Sequence, residues 1–422
     1  MIVFLRLGGD MISFFWFLAF VTLIFGAVPF VMTLQFWRYA KNEARRASTE
    51  KYLPKIALIV PCKGTDLNFE ANISAFLKQD YPNYEIIFVT ATNDDPAYIE
   101  IERILNGMTD SFNQANKTVQ AARLLVAGIE PGRGQKMTNT LKGIASISDD
   151  TEVLAFMDAD IEIYPLLLQN LVKPLNRPDV GATNGIWVFR PLDGAFGAML
   201  KFMWGAGAIL SCSDQKNNLA IAAVVCVKRH IWEKAQISER LKTTVSDTMV
   251  ITDAIRSIGL KIHFVPTALI ISQDKSNLND VVTWTNRLAI FSRVYNRPFW
   301  WKIFLAYGFQ NLMILSGALT LIATQLGADA KLILPASVMF GLIILQIFHA
   351  LITFPIIVGL LNEYPKAQSE LRRLKWFICL CAPLVGVMSM TNSLNSLRTN
   401  IITWRGIQYR LKSATETDVL ET

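Results

Sequence analysis

The chain has only three histidines, His230, His263 and His349, set far apart in 422 residues. A histidine-rich metal centre is set aside on that ground. Cysteine is scarce too. Its five thiols include no C-x-x-C pair, which argues against a zinc site and against a disulfide framework. Charge is missing from one long stretch, "ISFFWFLAFVTLIFGAVPFVMTLQF", residues 12–36. That run is long enough to cross a bilayer. The segment before it carries Arg6 as its basic residue and no small-residue cleavage pattern, so an uncleaved anchor is expected rather than a signal peptide. What is in excess is basic charge, +7 overall. Much of it flanks apolar segments, where it would meet anionic lipid, and nucleic acid is not expected as a partner.

Two further apolar runs cover residues 303–326 and 332–361. A third, "WFICLCAPLVGVMSM", is short for a span and contains Pro383; it is expected to be re-entrant or interfacial. "RYAKNEARRASTEK" and "KAQSELRRLKW" are basic flanks, whereas the link "GADAK" is nearly neutral. The positive-inside rule then predicts a multi-pass integral membrane protein. Its N-terminus lies outside, its large middle region is cytoplasmic, and a hairpin of spans follows. The basic end "RTNIITWRGIQYRLK" fits the cytoplasm if the short apolar segment does not cross completely. The expected divisions are a membrane anchor with its basic flank (1–50), a soluble α/β domain (51–275), an amphipathic interfacial helix (276–300), and a membrane region with a basic tail (301–422).

From Lys55 to about Asp274 the pattern changes. "KIALIVPCKGTD", "YEIIFVTATNDDPAY", "AARLLVAG" and "EVLAFMDADI" read as buried strands, most of them ending in polar turns. Between them, "NFEANISAFLKQDYP", "AYIEIERILNGM" and "GQKMTNTLKGIASI" read as helices, the first with Phe69, Ile73, Phe76 and Leu77 on one side. This alternation predicts an α/β, Rossmann-like, mainly parallel sheet covered on both faces. Ligands of such sheets bind beyond the carboxyl ends of the strands. "PCKGTD", "TNDDPA" and "DAD" all fall there. In "AFMDADIEIYP", Asp158 and Asp160 would share a face if the strand ran through them. One reading has them cap the turn and the next helix; the other has them hold a metal. Hard carboxylate oxygens suit Mg²⁺ or Mn²⁺. Such an ion would bridge to phosphates and neutralise a diphosphate leaving group, which points to a nucleotide-diphosphate donor.

Taken in order, these motifs resemble the GT-A fold glycosyltransferases of family 2, most closely the ceramide glucosyltransferase group, over nearly the whole chain. "PCKGTD" resembles that group's P-x-K-G-x-D, "LKQDYPNYEIIF" the segment that follows, and "NDDPA" its E-D-P-A loop. The aspartate usual three residues before that pair is replaced by Thr92 or a neighbour. "GRGQKMTNTLKG" is similar at its donor-site lysine, "MDADI" at its metal motif, and "WRGIQYRL" to its W-R-x-G-x-Y-R-L tail. The resemblance implies a UDP-sugar donor held around Pro61, Lys63, Asp95 and Lys136. It makes Asp160 the closer metal ligand, with Asp158 supporting the metal or the ribose.

An inverting transfer also needs a carboxylate to take the acceptor's proton. The family's E-D is here Ser246-Asp247, which makes Asp247 the implied base; a helix N-terminus equally favours an aspartate there. Asp253, six residues on, should face elsewhere. The family's Q/R-x-x-R-W is matched best with Trp284 first, Arg287 as its arginine and Leu288 in place of tryptophan. Arg287 then either contacts the diphosphate or faces lipid headgroups, and Trp284 is an acceptor-side residue. "PLDGAFGAMLKFMWGAGAIL" is either core or a surface dipped into the bilayer. The expected activity is transfer of one sugar, glucose first, to the hydroxyl of a lipid such as ceramide. The rivals are a processive polysaccharide synthase and an inactive membrane scaffold.

Overall fold

In the computed structural model, which describes residues 2–47, 51–115 and 119–421, a long helix α1 (Ile2–Ala47) opens the chain. Its 46 residues run about 70 Å, more than twice the apolar thickness of a bilayer. The surplus carries its basic end onto the α/β domain. There Phe36 packs on Phe264, and Tyr39 Oη donates to the Phe264 carbonyl at 2.5 Å. The end of the basic flank, residues 48–50, lies outside the described residues.

The domain alternates as expected: β1 (Ile56–Pro61), α2 (Phe69–Leu77), β2 (Tyr84–Thr90), α3 (Pro96–Ala115), β3 (Val119–Val126), α4 (Gln135–Ile144) and β4 (Val153–Met157). There follow α5 (Leu167–Val172), β5 (Val180–Pro191), α6 (Phe196–Ser211), β6 (Val224–Lys228), α7 (Arg229–Lys234), α8 (Ile237–Leu241), α9 (Asp247–Ser257) and β7 (Lys261–Asp274). The seven strands form one sheet in the order β3-β2-β1-β4-β6-β5-β7. All run parallel except β6, which is antiparallel to β4 and β5. This is the mainly parallel sheet that the alternation of elements predicted. β1, β2 and β4 are apolar throughout because helices cover both faces. Phe69, Ile73 and Phe76 of α2 pack on one face with α5 and α6; Met137 of α4, Trp232 and Ile255 pack on the other. β5 bends at Gly185, where any Cβ would lie 1.9 Å from the Ala268 carbonyl oxygen.

α10 (Leu278–Tyr295) starts in a capping box between Asn277 and Asp280. Asn296 then caps α11 (Arg297–Gln325), so residues 276–300 comprise α10 and the first turn of the next helix. α12 (Ile333–Phe340) and α13 (Leu342–Gly359) make up a second apolar rod. α14 (Pro365–Leu380) and α15 (Ala382–Ser396) meet at a 63° bend. Pro383, in the first turn of α15, cannot donate to the preceding helix and breaks it there. Among the described residues three helices are long and apolar enough to cross a membrane, or four if the bent pair counts as one span. Arg190 of β5 bonds Glu370 of α14 at 2.6 Å and ties the bent pair to the sheet. α6 is mostly buried between the sheet and these helices, so "FGAMLKFMWGAGAIL" is a packed layer rather than an open surface. The tail forms a second, antiparallel sheet, β8 (Ile401–Trp404), β9 (Ile407–Ser413) and β10 (Glu416–Glu421), which folds back onto α10.

Candidate active site

β4 ends at Met157, so the aspartate pair stands in the turn beyond it and not on a continuing strand. The alternation expected of a strand therefore does not bring the two carboxylates together; the turn does. The Asp158 amide is held by the Ala223 carbonyl just before β6. Asp158 accepts from Lys136 Nζ at 2.6 Å, and the same ammonium lies 2.8 Å from Asp247 Oδ2. Burial works against that ammonium, but the charges of Asp158 and Asp247 outweigh it and raise its pKa. One cation thus joins the turn after β4 to the first residue of α9.

The local sequence explains these placements. Ser246 caps α9 by accepting from the Met249 amide, which puts Asp247 in the first turn, where the helix dipole favours a carboxylate. Lys136 is the second residue of α4. Gly134, just before it, lets the loop lie on Val245: a Cβ there would come within 3.2 Å of Val245 Cα. Asp95 accepts from the Gly64 amide at 2.8 Å and the Ala97 amide at 2.9 Å. It therefore caps α3 and locks the loop after β1 to the loop after β2. Pro61 closes β1, and Lys63 is half-buried beside it, its pKa lowered by burial.

Asp160 is drawn the other way. Its partner is Arg405, which bonds Asp160 Oδ2 at 2.9 Å and Asp66 Oδ1 at 2.6 Å. Enclosure by the surrounding loops first, and then the Asp158 charge, raise the pKa of the Asp160 carboxyl, although 38% of its side chain still reaches solvent. Arg287 of α10 lies 5.1 Å over the Trp404 ring, and Lys136 lies 5.9 Å from the same ring. Burial and the nearby Arg405 lower Arg287 to about 10, and its buried Nε has no hydrogen-bond partner among the described residues. Arg287 therefore points inward beside the acidic turn, not out toward headgroups. Trp284, one turn earlier, joins Trp187, Phe189 and Trp204 in edge-to-face contacts at 5.1–5.9 Å. Lys201 lies under that cluster, 5.0 Å from the Trp284 ring, and pairs with Asp274 at 2.6 Å. Asp253 is exposed and pairs with Arg240, away from the site.

Trp404, Arg405, Tyr409 and Asp66 were not singled out by sequence. Tyr409 Oη accepts from the Gln135 amide and so pins the tail to the start of α4. The "PCKGTD" and "WRGIQYRL" motifs contained these residues, but nothing in the spacing linked one to the other.

The arrangement places carboxylates, an inward guanidinium and a bridging ammonium at the carboxyl edge of the sheet, a setting suited to a phosphorylated ligand and to proton transfer. Among solved structures, the chain is similar to the mannosyltransferase PcManGT from Pyrobaculum calidifontis, in complex with GDP-Man and Mn²⁺, at 16% identity and a TM-score of 0.43, covering 89% of this chain and 99% of that one. It is also similar to glucosyl-3-phosphoglycerate synthase from Mycobacterium tuberculosis, in complex with Mn²⁺ and UDP-glucose, at 13% identity and a TM-score of 0.36, covering 60% of this chain and 82% of that one. The family model for Glycosyl transferase family 21 matches residues 15–417, nearly everything described above. Family 21 thus takes the place of the family 2 label that the motifs suggested. The chain belongs to glycosyl transferase family 21 and is a glycosyltransferase.

Proposed function

We propose that the protein is an inverting glycosyltransferase that moves one sugar, glucose first among candidates, from a UDP-sugar to the hydroxyl of a membrane lipid such as ceramide at the cytoplasmic face. The observation that carries this reading is the Lys136 ammonium shared by Asp158 and Asp247. It sets the one carboxylate at a helix start beside the turn that would face a nucleotide diphosphate. Asp247 takes the proton of the acceptor hydroxyl as that oxygen attacks the anomeric carbon. The bond from that carbon to the diphosphate oxygen breaks, and UDP leaves with the electron pair. Lys136 orients Asp247, and Arg287 supplies a buried positive charge to the leaving diphosphate.

A divalent ion fits the turn. Asp160 and Asp158 offer hard oxygens close enough for one charge to shift the other's pKa. No group of three or more His, Cys, Asp or Glu side chains stands ready for a metal among the described residues. Mg²⁺ or Mn²⁺ needs only one or two carboxylates and completes its shell with water and substrate phosphate. Such an ion would neutralise the departing diphosphate. The lipid acceptor is supported by the apolar helices and by the α6 layer and the Trp284 cluster between them and the sheet.

Purified full-length protein in ceramide-containing liposomes, given UDP-glucose and Mn²⁺, should make a monoglycosylated lipid of inverted anomeric configuration, read by mass spectrometry and NMR. A polymer that resists organic extraction would overturn the lipid reading.

A further inference from the structure

Arg405 stands at an unusual place for an arginine. Trp404 of β8 pairs with Ile407 of β9, so Arg405 and Gly406 form a two-residue hairpin turn. Both have positive φ, 52° and 81°, the signature of a turn that prefers Asn-Gly. A left-handed conformation strains an arginine. Strain of this kind persists where surrounding contacts fix it. Those contacts are with Asp66 beyond β1 and Asp160 beyond β4, both in the acidic edge of the site. A second cation faces the same place: Arg287, whose buried Nε lacks a partner among the described residues and whose guanidinium stacks on Trp404, the neighbour of Arg405. Two guanidiniums held near each other, one of them short of acceptors, call for an anion between them.

We propose that Arg405 is a diphosphate-binding residue that shares Asp160 with the divalent cation: it opposes the ion on that carboxylate and exchanges the carboxylate for the donor's diphosphate when nucleotide binds. This rests on the metal and donor reading above. The physical reason is charge. A divalent ion and a guanidinium on one carboxylate repel each other, so the ion alone binds weakly. A diphosphate relieves the conflict because its oxygens accept from the guanidinium and ligate the ion together. Metal and nucleotide then assist each other's binding, and linkage requires the assistance to be equal in both directions. The tail sheet, pinned to α4 through Tyr409, carries this residue into the site.

The test titrates Mn²⁺ alone, UDP alone and Mn²⁺ with saturating UDP into the purified full-length protein. Bound Mn²⁺ is read by electron paramagnetic resonance and UDP by calorimetry. In the wild type, UDP should tighten Mn²⁺ binding by between about 5- and 150-fold, the usual span of coupling between two sites. Arg405→Gln should bind Mn²⁺ alone about fivefold more tightly and lose most of that enhancement. Asp66→Asn removes a carboxylate that fixes the arginine; it should diminish the enhancement and serves if the glutamine variant does not fold. Undiminished enhancement in Arg405→Gln overturns the proposal, as does undiminished enhancement in Asp66→Asn. Asp160→Asn separates the two levels. If it binds Mn²⁺ as the wild type does, the metal reading itself fails and the proposal with it. If it loses Mn²⁺ while Arg405→Gln changes nothing, the proposal alone fails.

Discussion

The molecule holds two clusters of paired charge at opposite ends of its sheet. At the carboxyl edge Lys136 bridges Asp158 and Asp247, and Arg405 bridges Asp66 and Asp160. Near the amino-terminal ends of β5 and β7, Glu43 of α1 meets Arg177 at 2.9 Å and His263 at 3.0 Å. The residue types are alike, but the access is not. Glu43, His263 and Arg177 expose 7%, 2% and 19% of their side chains, whereas Asp158, Asp160 and Arg405 expose 32%, 38% and 39%; Lys136 and Asp247, at 17% and 11%, form the secluded floor of the open cluster. A sealed cluster with its bonds satisfied fixes α1 to the domain. An open one, whose partners can be replaced by ligand atoms, is suited to binding. Seclusion, rather than the number of ion pairs, separates the two.

The largest effect expected from that distinction is at Asp247. Asp247→Asn keeps the shape and the Thr248 amide contact but removes the proton acceptor. Transfer should fall by about 10²- to 10⁴-fold, measured as glycolipid formed per minute, with the apparent melting temperature unchanged. Equal loss of melting temperature and activity would make Asp247 a structural residue like Glu43.

Glu43→Ala should behave in the opposite way. It leaves Arg177 and His263 buried without their carboxylate, and breaking such a pair costs about 3–5 kcal/mol. The apparent melting temperature in detergent should drop by several degrees, while turnover per folded molecule stays near wild type. A selective loss of turnover would erase the contrast between the two ends.

How much of this was legible in the sequence follows from the range of the interactions. The first four strands of the sheet announced themselves as largely apolar runs, because burial on both faces is a local property. The start of α9 was legible because a carboxylate at a helix N-terminus is a local preference and Asp247 stands there, whereas the capping role of Asp95 came only from the structure. Convergence of the loops followed from the direction of the strands. The Arg405 contacts were not legible, because Arg405 and Asp160 are 245 positions apart and no periodicity encodes that pairing. "WRGIQYRL" stood out as a tail motif, but its turn and its reach into the acidic edge came only from the structure. The inward direction of Arg287 was likewise set by packing against Trp404, which neither residue's neighbours in sequence foretell.

Lys136→Met tests whether the open cluster depends on its bridging cation. Methionine fills a similar volume but leaves Asp158 and Asp247 facing each other unscreened. Displacing the base by about 1 Å is enough for a loss of about 10² in turnover, checked by steady-state kinetics. A change confined to the melting temperature would assign Lys136 to packing.

The smallest effect is expected at Lys261, and it sharpens the comparison most closely because it shares a neighbourhood with the sealed cluster. Lys261 opens β7 two residues before His263, and its partner Asp179 follows Arg177 by two. The pair is as short as its neighbours, 2.8 Å, yet both side chains are more than half exposed. The Lys261 hydrogen bond lowers the Asp179 pKa against a small burial cost. Water and salt screen such a pair, and holding two flexible side chains in register offsets what remains. Lys261→Ala should therefore change stability by less than about 1 kcal/mol, within a degree or two of apparent melting temperature, and leave transfer untouched. A loss approaching that of Glu43→Ala would mean that position at this end of the sheet, and not seclusion from water, decides what an ion pair contributes.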